Sequence, residues 1–396
     1  MTTLAPGDEA GVVDAIARSR AAGEPLAIQG NATMASMLRP VQAAHVLSTR
    51  ALSGITLYAP KELVIRAGAG TPIAEIEAAV AENGQHLIAE PPDLSALLGS
   101  EGPPTLGGIV GANLSGPRRV AWGATRDHVL GVRAVNGLGD VIRSGGRVLK
   151  NVTGLDLCKL LAGSHGTLAV LTEVTLKVLP APETVGTVVL TGQDVAAAVA
   201  ALSAALGSPY AVSGAAFLPA DAAARVGLRG AATLARIEDF AASVAYRTER
   251  LRSDLASFGT AEILDAAASR PLWHAIRDAV PLGAGDDAIW RVSVRPTAGP
   301  EVARKLAAAF DARLFLDWGG GLVWVAGPDI ADAHAAVEAA ARAHGGVWTL
   351  LRGEALRFSA AVIPPEPAPL AAITRRVKEA FDPRGILNPG RMYAGL

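Results

Sequence analysis

Hydrophobic and polar positions follow two periodicities in the first part of the chain. Apolar positions recur at helical spacing over 11–22, and a short continuous apolar run, typical of a buried strand, occupies 25–29. A further helix is predicted over 71–83, and the turn at 136–140 joins two runs that predict a hairpin. Strands and helices are therefore expected to alternate up to the proline-flanked stretch at 180–182.

Residues 183–362 show a different order of elements. Predicted strands lie on both sides of predicted helices, and Gly319-Gly320-Gly321 joins two strands as a hairpin. This order is typical of an antiparallel sheet with helices on one face. One more helix is predicted over 371–381. The predicted fold class is therefore α+β, and the predicted domains are 1–182, 183–362 and 363–396.

The uncharged stretch 195–220 is long enough to cross a bilayer. It consists mostly of alanine and other small residues, and Gly207-Ser208-Pro209 interrupts it. We therefore predict a helix capped by Asp194 and then a strand over 212–217, and no transmembrane segment. The N-terminal residues show neither the cationic flank nor the apolar core of a secretory signal, so a cytoplasmic location is expected.

Composition narrows the function classes. Lys and Arg total 36 against 37 Asp and Glu, and aromatic residues make up 4%, so the basic, ring-rich surface typical of nucleic-acid binding is not expected. The single cysteine, Cys158, excludes an intramolecular disulfide, a four-cysteine zinc site and an iron–sulfur cluster held by this chain alone. The seven histidines form no His-x-His or His-x-x-His pair, and no metal site is predicted.

Three glycine-rich segments contain the candidate binding residues. The first segment, 29–36, follows a predicted strand, and its small residues allow consecutive N–H groups to converge on an anion. A phosphate cradle and an ordinary strand–helix turn both fit it. The second segment, 103–116, allows a flat or phosphorylated ligand to approach the backbone. In the third segment, 163–170, His165 is expected to form hydrogen bonds rather than act as a base.

Motifs of other nucleotide-binding and hydrolytic folds are absent from the sequence. Gly68-Ala69-Gly70 lacks the third glycine of a dinucleotide-binding fingerprint. The chain contains no Walker motif and no Gly-x-Ser-x-Gly elbow. A Rossmann domain, a P-loop nucleotidase and a serine hydrolase are therefore not predicted.

The order and spacing of the glycine segments resemble the FAD-binding domain of the vanillyl-alcohol oxidase and p-cresol methylhydroxylase type. The family's Thr-x-Gly-Gly, Gly-Ser-x-Gly-Thr and Thr-Glu-x-Thr-Leu-Lys elements match Thr105–Gly108, Gly163–Thr167 and Thr172–Lys177, and its closing motif matches Asp382–Gly390. Further stretches are similar to the FAD-binding E subunits of bacterial glycolate oxidases within this family. These stretches are 116–119, 151–157 and 317–320.

The resemblance implies a two-part FAD-binding domain, a smaller cap domain with an antiparallel sheet, and a C-terminal segment that returns to the flavin. Backbone amides of the three segments would hold an extended FAD. The implied cofactor-binding residues are Gln29, Gly30, Asn31, Ala32, Thr33, Met34, Thr105, Gly107, Gly108, Gly111, Asn113, Gly116, Gly163, Gly166, Thr167, Val170 and Asn388. Lys150 fits both a phosphate contact and a solvated surface position.

Covalent flavin attachment in the family uses a histidine in the first segment or a cysteine elsewhere. The first segment of this chain contains neither residue type. Cys158 lies in an apolar stretch and is expected in the core. Non-covalent FAD is therefore expected.

One departure from the family concerns the substrate. The catalytic D subunits and related 2-hydroxy-acid dehydrogenases carry a His-x-Gly-Asp-Gly-Asn-x-His segment that binds a metal and the hydroxy acid. This sequence has no such segment, so no catalytic residue is assigned. Arg118, Arg119 and Arg126 fit a substrate carboxylate, a partner subunit or an FAD phosphate equally well.

The resemblance implies an FAD-binding subunit of a glycolate oxidase complex that converts glycolate, a small 2-hydroxy acid, into glyoxylate. Electrons would pass through flavin to an iron–sulfur F-type subunit, beside a D-type FAD subunit, and the complex could associate with the inner face of the membrane through these partners. Two alternatives stay open. One is a self-sufficient FAD-dependent oxidoreductase for another 2-hydroxy acid or alcohol, and the other is a flavin-bearing assembly subunit without turnover of its own.

Overall fold

The computed structural model describes residues 2–147 and 154–396. Its strands are β1 (Thr2–Leu4), β2 (Leu26–Gln29), β3 (His45–Ser48), β4 (Ile55–Ala59), β5 (Val64–Gly68), β6 (Gln85–His86), β7 (Val129–Asn136), β8 (Val141–Gly145), β9 (Ala169–Lys177), β10 (Leu179–Pro180), β11 (Thr184–Thr191), β12 (Val212–Leu218), β13 (Ala232–Asp239), β14 (Ala261–Leu264), β15 (Ala288–Ser293), β16 (Arg313–Asp317), β17 (Leu322–Gly327) and β18 (Val347–Arg352). Its α-helices are α1 (Glu9–Ala22), α2 (Ile73–Ala81), α3 (Ser95–Leu98), α4 (Leu106–Ala112), α5 (Arg119–Trp122), α6 (Leu157–Leu161), α7 (Val195–Leu206), α8 (Ala220–Ala224), α9 (Ala241–Asp254), α10 (Ala266–Arg277), α11 (Gly299–Ala309), α12 (Ala331–Arg342), α13 (Leu356–Ser359) and α14 (Ala368–Phe381). Lys150 and residues 151–153 of the resemblance lie outside the described residues.

The chain divides into two compact units that are not continuous in sequence. Unit 1 comprises Met1–Ser115, Ala124–Ala181 and Pro365–Leu396, and unit 2 comprises Gly116–Gly123 and Pro182–Pro364. The short excursion 116–123 therefore belongs to unit 2, although the sequence pattern placed it inside the predicted domain 1–182. The C-terminal residues belong to unit 1, where α14 ends the chain's helices.

Unit 1 is built on two main sheets. Strands β1, β3 and β2 form a parallel sheet, and β4, β5, β9, β7 and β8 form an antiparallel sheet in that order, with β6 and β10 as a further short pair. The predicted hairpin at 136–140 is confirmed as the connection between β7 and β8. This division into two sheets agrees with the two-part FAD-binding domain that the resemblance implies.

Helix α1 packs against the core of unit 1 through one face. Asp8 caps its first turn by accepting a hydrogen bond from the Gly11 N–H at 2.8 Å, and Gly23 ends it in the left-handed conformation. Val12 and Ile16 are fully buried with Leu387 from the C-terminal segment. This packing joins the first and last parts of the chain in one core.

Unit 2 contains an eight-stranded antiparallel sheet in the order β14, β11, β13, β12, β16, β17, β15, β18. The predicted hairpin at 319–321 is confirmed between β16 and β17. Strand β13 lies inside the sheet, but it was not predicted because Arg236 and Glu238 interrupt its apolar pattern.

Helices cover both faces of this sheet at β11, whereas the sequence predicted helices on one face. A side chain on Gly186 would meet α9, and the next residue, Thr187, bonds to Ser269 and Trp273 of α10. Successive residues of a strand point to opposite faces, so α9 and α10 lie on opposite sides. Helix α10 was not predicted because Pro271 interrupts its pattern.

The uncharged stretch 195–220 divides as predicted. Asp194 caps α7 by accepting hydrogen bonds from the Ala196 and Ala197 N–H groups, and β12 follows the turn. In the part of the chain that the structure describes, no helix has both the length and the apolar content that crossing a membrane requires.

Candidate functional site

The first glycine segment contains a run of backbone N–H groups without hydrogen-bond acceptors among the described residues. Among the residues that the structure describes, the N–H groups of 30–34 donate to no protein acceptor. The loop is closed by bonds further along, where the Ala35 N–H donates to the Ala32 carbonyl at 2.9 Å. Backbone N–H groups that are half-buried and lack acceptors fit an anionic ligand such as a phosphate.

Gly30 brings the first and second segments together. A Cβ on Gly30 would lie 2.3 Å from the Thr105 Oγ1 atom, which no real side chain permits. The Asn31 Nδ2 atom donates to the Pro103 carbonyl at 2.8 Å and holds the same two segments together. Ala32 adopts a left-handed conformation, with φ of 57°. The first and second glycine segments are therefore in close contact at Gly30.

Neighbouring residues of the first segment are held by the chain on both sides. The Gln29 carbonyl accepts a hydrogen bond from the Thr49 N–H at 2.8 Å, and the Thr33 carbonyl accepts one from the Ser100 Oγ at 3.0 Å. The Met34 carbonyl accepts one from Arg391 at 2.7 Å. The carbonyls are thus occupied while the adjacent N–H groups are not.

The second segment forms α4, which begins at Thr105. The Thr105 Oγ1 atom accepts a hydrogen bond from the Gly108 N–H at 3.4 Å and caps the helix. A Cβ on Gly107 would lie 2.9 Å from the Ala69 Cβ, so glycine is required for close packing there. A Cβ on Gly111 would meet no described atom within 4 Å. The protein's own packing therefore does not explain that glycine.

The third segment is hydrogen-bonded to the second. The Gly163 N–H donates to the Val110 carbonyl at 3.0 Å, and the His165 N–H donates to the Gly111 carbonyl at 2.9 Å. Asn113 ends α4 in the left-handed conformation, and its Oδ1 atom accepts a hydrogen bond from the Arg126 N–H. The three glycine segments are thus brought together in unit 1, which a common cofactor site of the three segments requires.

Asn388 joins the C-terminal segment to β2 and to the third glycine segment. Its Oδ1 atom accepts a hydrogen bond from the Ile28 N–H at 2.8 Å, and its Nδ2 atom donates to the His165 carbonyl at 2.7 Å. A Cβ on Gly166 would lie 2.8 Å from the same Nδ2 atom. Asn388 is 4% exposed, so its main observed role is to hold these backbone segments in register.

Two cations that the sequence reading did not single out support the same segments. The Lys378 Nζ atom donates to the Thr167 and Leu387 carbonyls and to the Asp382 carboxylate, at 2.7, 3.0 and 2.7 Å. The Arg391 guanidinium donates to carbonyls of the first segment, including Met34. Both residues flank the closing motif 382–390, and this position is the feature of the sequence that could have identified them.

His165 does not have the properties of a base. Burial and the positive charge of Arg391 lower the pKa of His165 to about 3. Its backbone is left-handed, with φ of 50°. The ring is therefore neutral near pH 7, and the residue contributes hydrogen bonds through its backbone, as the sequence predicted.

Three residues near these segments have side chains used by the protein itself. Thr167 donates through Oγ1 to the Ser164 carbonyl at 2.7 Å. Val170 is fully buried in the hydrophobic core of unit 1. Cys158 is also buried, as predicted, and burial raises the pKa of its thiol. A buried thiol with a raised pKa is a poor nucleophile.

Gly116, Arg118 and Arg119 lie in the excursion that belongs to unit 2. The Gly116 carbonyl accepts a hydrogen bond from the Trp318 indole at 3.2 Å. Arg118 forms a bidentate pair with Glu238, at 3.0 and 2.8 Å. The Arg119 guanidinium lies over the Trp318 ring, 4.6 Å from its centroid.

Burial by itself would raise the pKa of Glu238. The charges of Arg236 and Arg118 overcome that effect and hold the pKa of this carboxyl well below its usual range. Arg118 is therefore paired with an ionised carboxylate inside unit 2. In unit 1, the side chain of Arg126 is half-exposed beside Asp127.

No group of metal-ligating side chains occurs among residues 2–147 and 154–396. The N–H groups of 30–34, which lack acceptors among the described residues, suit a phosphorylated cofactor.

Comparisons with known proteins agree with this geometry. A model described as "FAD binding domain" matches residues 2–145, and one described as "FAD linked oxidases, C-terminal domain" matches residues 367–392. Glycolate oxidase subunit GlcE of Escherichia coli (strain K12) is 35% identical over 377 residues, which cover 94% of this chain and 93% of that protein. The chain belongs to the family of this FAD-linked oxidoreductase subunit. The predicted FAD cofactor and oxidoreductase class are thereby confirmed.

Part of the chain is also similar to other FAD-linked enzymes. Glycolate oxidase subunit GlcD of Bacillus subtilis (strain 168) is 41% identical over 113 residues, covering 28% of this chain and 23% of that protein. D-lactate dehydrogenase of Archaeoglobus fulgidus is 33% identical over 141 residues, covering 36% of this chain and 30% of that protein. Similarity to oxidoreductases acting on CH–OH groups is thus not confined to one relative.

Solved structures confirm the predicted fold. p-Cresol methylhydroxylase has a TM-score of 0.74 at 14% identity, with 98% of this chain and 88% of that chain covered. 4-Ethylphenol oxidase from Gulosibacter chungangensis has a TM-score of 0.72 at 12% identity, with 99% and 89% covered. The chain therefore has the FAD-binding fold of the p-cresol methylhydroxylase type.

Proposed function

We propose that this chain is the FAD-binding subunit of a glycolate oxidase complex that oxidises glycolate to glyoxylate. The observation that carries the proposal is the similarity to the Escherichia coli subunit, which extends over nearly the whole of both chains. Similarity of that extent includes the glycine segments of unit 1 and the cap-like unit 2 alike. Two domains with their connections are therefore shared, and not an FAD-binding module alone.

In this proposal the first glycine segment binds the FAD pyrophosphate. The N–H groups of 30–34 have no acceptor among the described residues, and phosphate oxygens are the acceptors they fit. The other residues of the proposed site are Gln29 of the first segment and residues of the second and third segments and the closing motif. The latter are Thr105, Gly107, Gly108, Gly111, Asn113, Gly116, Gly163, Gly166, Thr167, Val170 and Asn388.

The side-chain contacts within unit 1 assign these residues to two roles. Gly30 and Gly107 permit close backbone approach, because side chains at these positions would overlap Thr105 and Ala69. Asn388 keeps its amide bonded to backbone groups of two segments. We therefore propose that Val170 and Asn388 support the site by packing and by hydrogen bonding, while backbone groups bind the cofactor.

FAD supplies a two-electron acceptor that can also release electrons one at a time. The chain's own residues orient it and exclude water from the loops. Burial and the charge of Arg391 lower the pKa of His165 to about 3, so its imidazole is a weak base and we do not assign it the hydroxyl proton. We propose that the FAD is held without a covalent link, since the first segment has no histidine or cysteine.

The proposed partners are a D-type FAD subunit and an iron–sulfur F-type subunit. A single buried cysteine cannot hold an iron–sulfur cluster, so the iron–sulfur acceptor that we propose for the flavin electrons lies on another chain. The hydroxy-acid motif of D-type subunits is absent from this sequence, which supports a substrate site completed in the assembly. The location that we propose is the cytoplasmic face of the membrane, reached through these partners.

One preparation tests the proposal. The chain is purified alone, its flavin spectrum is recorded, and glycolate or D-lactate is added without oxygen. We expect a yellow protein whose colour leaves the pellet on acid precipitation and whose flavin is reduced by glycolate only when the partner subunits are added.

Other outcomes distinguish the alternatives. Bleaching of the isolated chain by either acid indicates a self-sufficient oxidoreductase. A flavin that stays oxidised in the complete complex, while the complex still oxidises glycolate, indicates an assembly subunit without turnover. Protein that remains colourless after FAD is added contradicts the proposal.

A further inference from the structure

Arg291 is a polar residue whose surroundings the proposed function leaves unexplained. It lies on β15 of unit 2, where its backbone pairs with Trp324 and Thr349, and its side chain forms neither a hydrogen bond nor an ion pair with a described residue. Its Nε atom is buried without an acceptor. A guanidinium carries five N–H donors and no acceptor, and buried donors without partners are rare in folded proteins. An oxyanion is the ligand that satisfies them.

Aromatic rings hold the Arg291 guanidinium in place. Its central carbon lies 5.3 Å from the ring centroid of Trp318 and 5.0 Å from that of Trp324. Trp324 is the direct cross-strand neighbour of Arg291 and stacks on Phe315 at 5.9 Å. Cation–π contacts position a guanidinium without using its hydrogen-bond donors. The donors of Arg291 therefore stay available.

A second cation lies at the same indole. The Arg119 guanidinium is 4.6 Å from the centroid of Trp318. Burial and the charge of Arg119 lower the pKa of Arg291 to about 10, which the charge of Asp317 opposes only in part. Arg291 therefore lies in an electrostatic environment set by one cation and one carboxylate.

The excursion 116–123 is fixed so that Arg119 reaches this position. Arg118 is anchored to Glu238, and the Trp318 indole donates to the Gly116 carbonyl at 3.2 Å. Asp317 caps the turn by accepting a hydrogen bond from the Trp318 N–H at 2.7 Å. Neighbouring residues on both sides of Arg119 and Trp318 are thus tied to unit 2.

We infer that Arg291, at the ring of Trp318 and beside Arg119, forms a site in unit 2 for the carboxylate of a small organic acid. A planar guanidinium matches the two oxygens of a carboxylate in a bidentate pair. The inference deepens the proposed function, on which the choice of glycolate as ligand rests. It also gives this chain a carboxylate anchor although it lacks the histidine-rich motif of the D-type subunits.

Calorimetric titration of the full-length, FAD-saturated chain tests the site, with glycolate, acetate and inorganic phosphate as separate probes. We expect saturable binding of both carboxylates by the unaltered chain. Arg291→Gln should weaken it by about 10-fold to 100-fold, as loss of a charge-assisted hydrogen bond does. The exposed Arg295, on the same stretch of chain, supplies the matched control, and Arg295→Gln should leave the affinity unchanged.

Folding is checked by the thermal unfolding temperature of each variant. If Arg291→Gln does not fold, Arg291→Lys keeps the charge and loses the bidentate geometry, and it should bind carboxylates about 10-fold more weakly. Equal affinity in the folded Arg291 variant, binding of phosphate but not of carboxylates, or no saturation in the unaltered chain would each overturn the inference. Glycolate binding at Arg291 by a chain whose complete complex does not oxidise glycolate would instead refute the proposed function alone.

Discussion

Gly30 and Thr105 are in closer contact than any side chain on Gly30 would allow. The distance from an added Cβ to the Thr105 Oγ1 atom would be 2.3 Å, and to its Cγ2 atom 3.0 Å. Thr105 cannot retreat freely, because its Oγ1 atom caps α4. The absence of a Cβ on Gly30 therefore allows the first and second glycine segments to approach this closely.

Gly30→Ala is expected to displace Thr105 and to disturb the N–H groups of 30–34. Overpacking of this kind costs about 1–3 kcal/mol of unfolding free energy, and the flavin content of the purified protein should fall. Absorbance per chain and urea unfolding measure both effects. Gly7→Ala is the control, since a Cβ on Gly7 would meet nothing within 4 Å, and equal flavin content in both variants would contradict the prediction.

His165 gives stability a dependence on pH. Its pKa is about 3 in the folded chain, lowered by burial and by Arg391, and about 6.5 in an unfolded chain. As the pH falls below 6.5, the unfolded chain binds a proton that the folded chain does not, so stability is lost between pH 6.5 and 3.

His165→Asn removes this loss, and asparagine tolerates the left-handed backbone at this position. We expect the unaltered chain to lose stability with a slope that exceeds the variant's by up to about 1.4 kcal/mol per pH unit. Urea unfolding at several pH values measures the difference. Parallel curves for the two proteins would show that His165 does not carry the effect.

The sequence identified the glycine segments as candidate binding segments, but it did not predict the hydrogen-bond partners of the side chains around them. Asn388 is expected beside the cofactor, and the structure shows in addition that its amide is bonded to Ile28 and His165. The sequence left three kinds of ligand open for Arg118, and in the structure its guanidinium forms an ion pair with Glu238. All three partners are more than 100 positions away in the chain, so no local pattern contains them.

Helix α14 positions a buried ion pair against the third glycine segment. Lys378 and Asp382 are one turn apart, and both are nearly inaccessible to solvent. Burial lowers the pKa of Lys378, and the Asp382 carboxylate opposes that shift. The same carboxylate accepts hydrogen bonds from the Ile386 and Leu387 N–H groups. The pair thus fixes the turn that leads to Asn388.

Lys378→Met leaves the Asp382 carboxylate buried without its cation. Breaking a buried pair in this way costs about 3–5 kcal/mol, and the flavin content should fall because the Thr167 carbonyl loses its donor. The exposed Lys305 is the control, because Lys305→Met should change stability by no more than about 0.5 kcal/mol. Chemical unfolding of both variants measures the contrast, and similar losses would count against the pair.

Several helices and strands could be predicted from periodicity. The hairpin at 319–321 joins β16 and β17 as predicted, and α7 is capped by the predicted Asp194. The omissions have local causes. Strand β13 carries Arg236 in its middle, where Ser213 and the Trp273 ring receive the guanidinium. Burial of that charge depends on partners from other elements, so the strand looks polar in sequence.

The segment 116–123 belongs to unit 2, although the residues before and after it belong to unit 1. It leaves unit 1 at Ser115 and returns at Ala124, and in unit 2 it is held by the pair of Arg118 with Glu238. Composition alone does not mark this crossing, because the segment carries no proline-rich boundary of the kind found at 180–182.

Glu238→Gln removes the charge that holds Arg118. We expect faster hydrogen exchange over 116–123 and a loss of about 1–3 kcal/mol in unfolding free energy. Exchange measured by mass spectrometry locates the change. Glu249→Gln removes a charge from an exposed pair with Arg252 in the same unit, and matching exchange in the two variants would argue against the anchor.

The sequence by itself determined the family, the FAD cofactor and the absence of a cysteine-held cluster. Glycine positions, motif spacing and a single cysteine are local properties, and they are readable without coordinates. Only the tertiary structure decided that Asn388, Lys378 and Arg391 hold the glycine segments, that 116–123 joins unit 2, and that Arg291 keeps its donors free beside Trp318. Those facts depend on which distant groups satisfy each buried charge and amide, and long-range packing sets that.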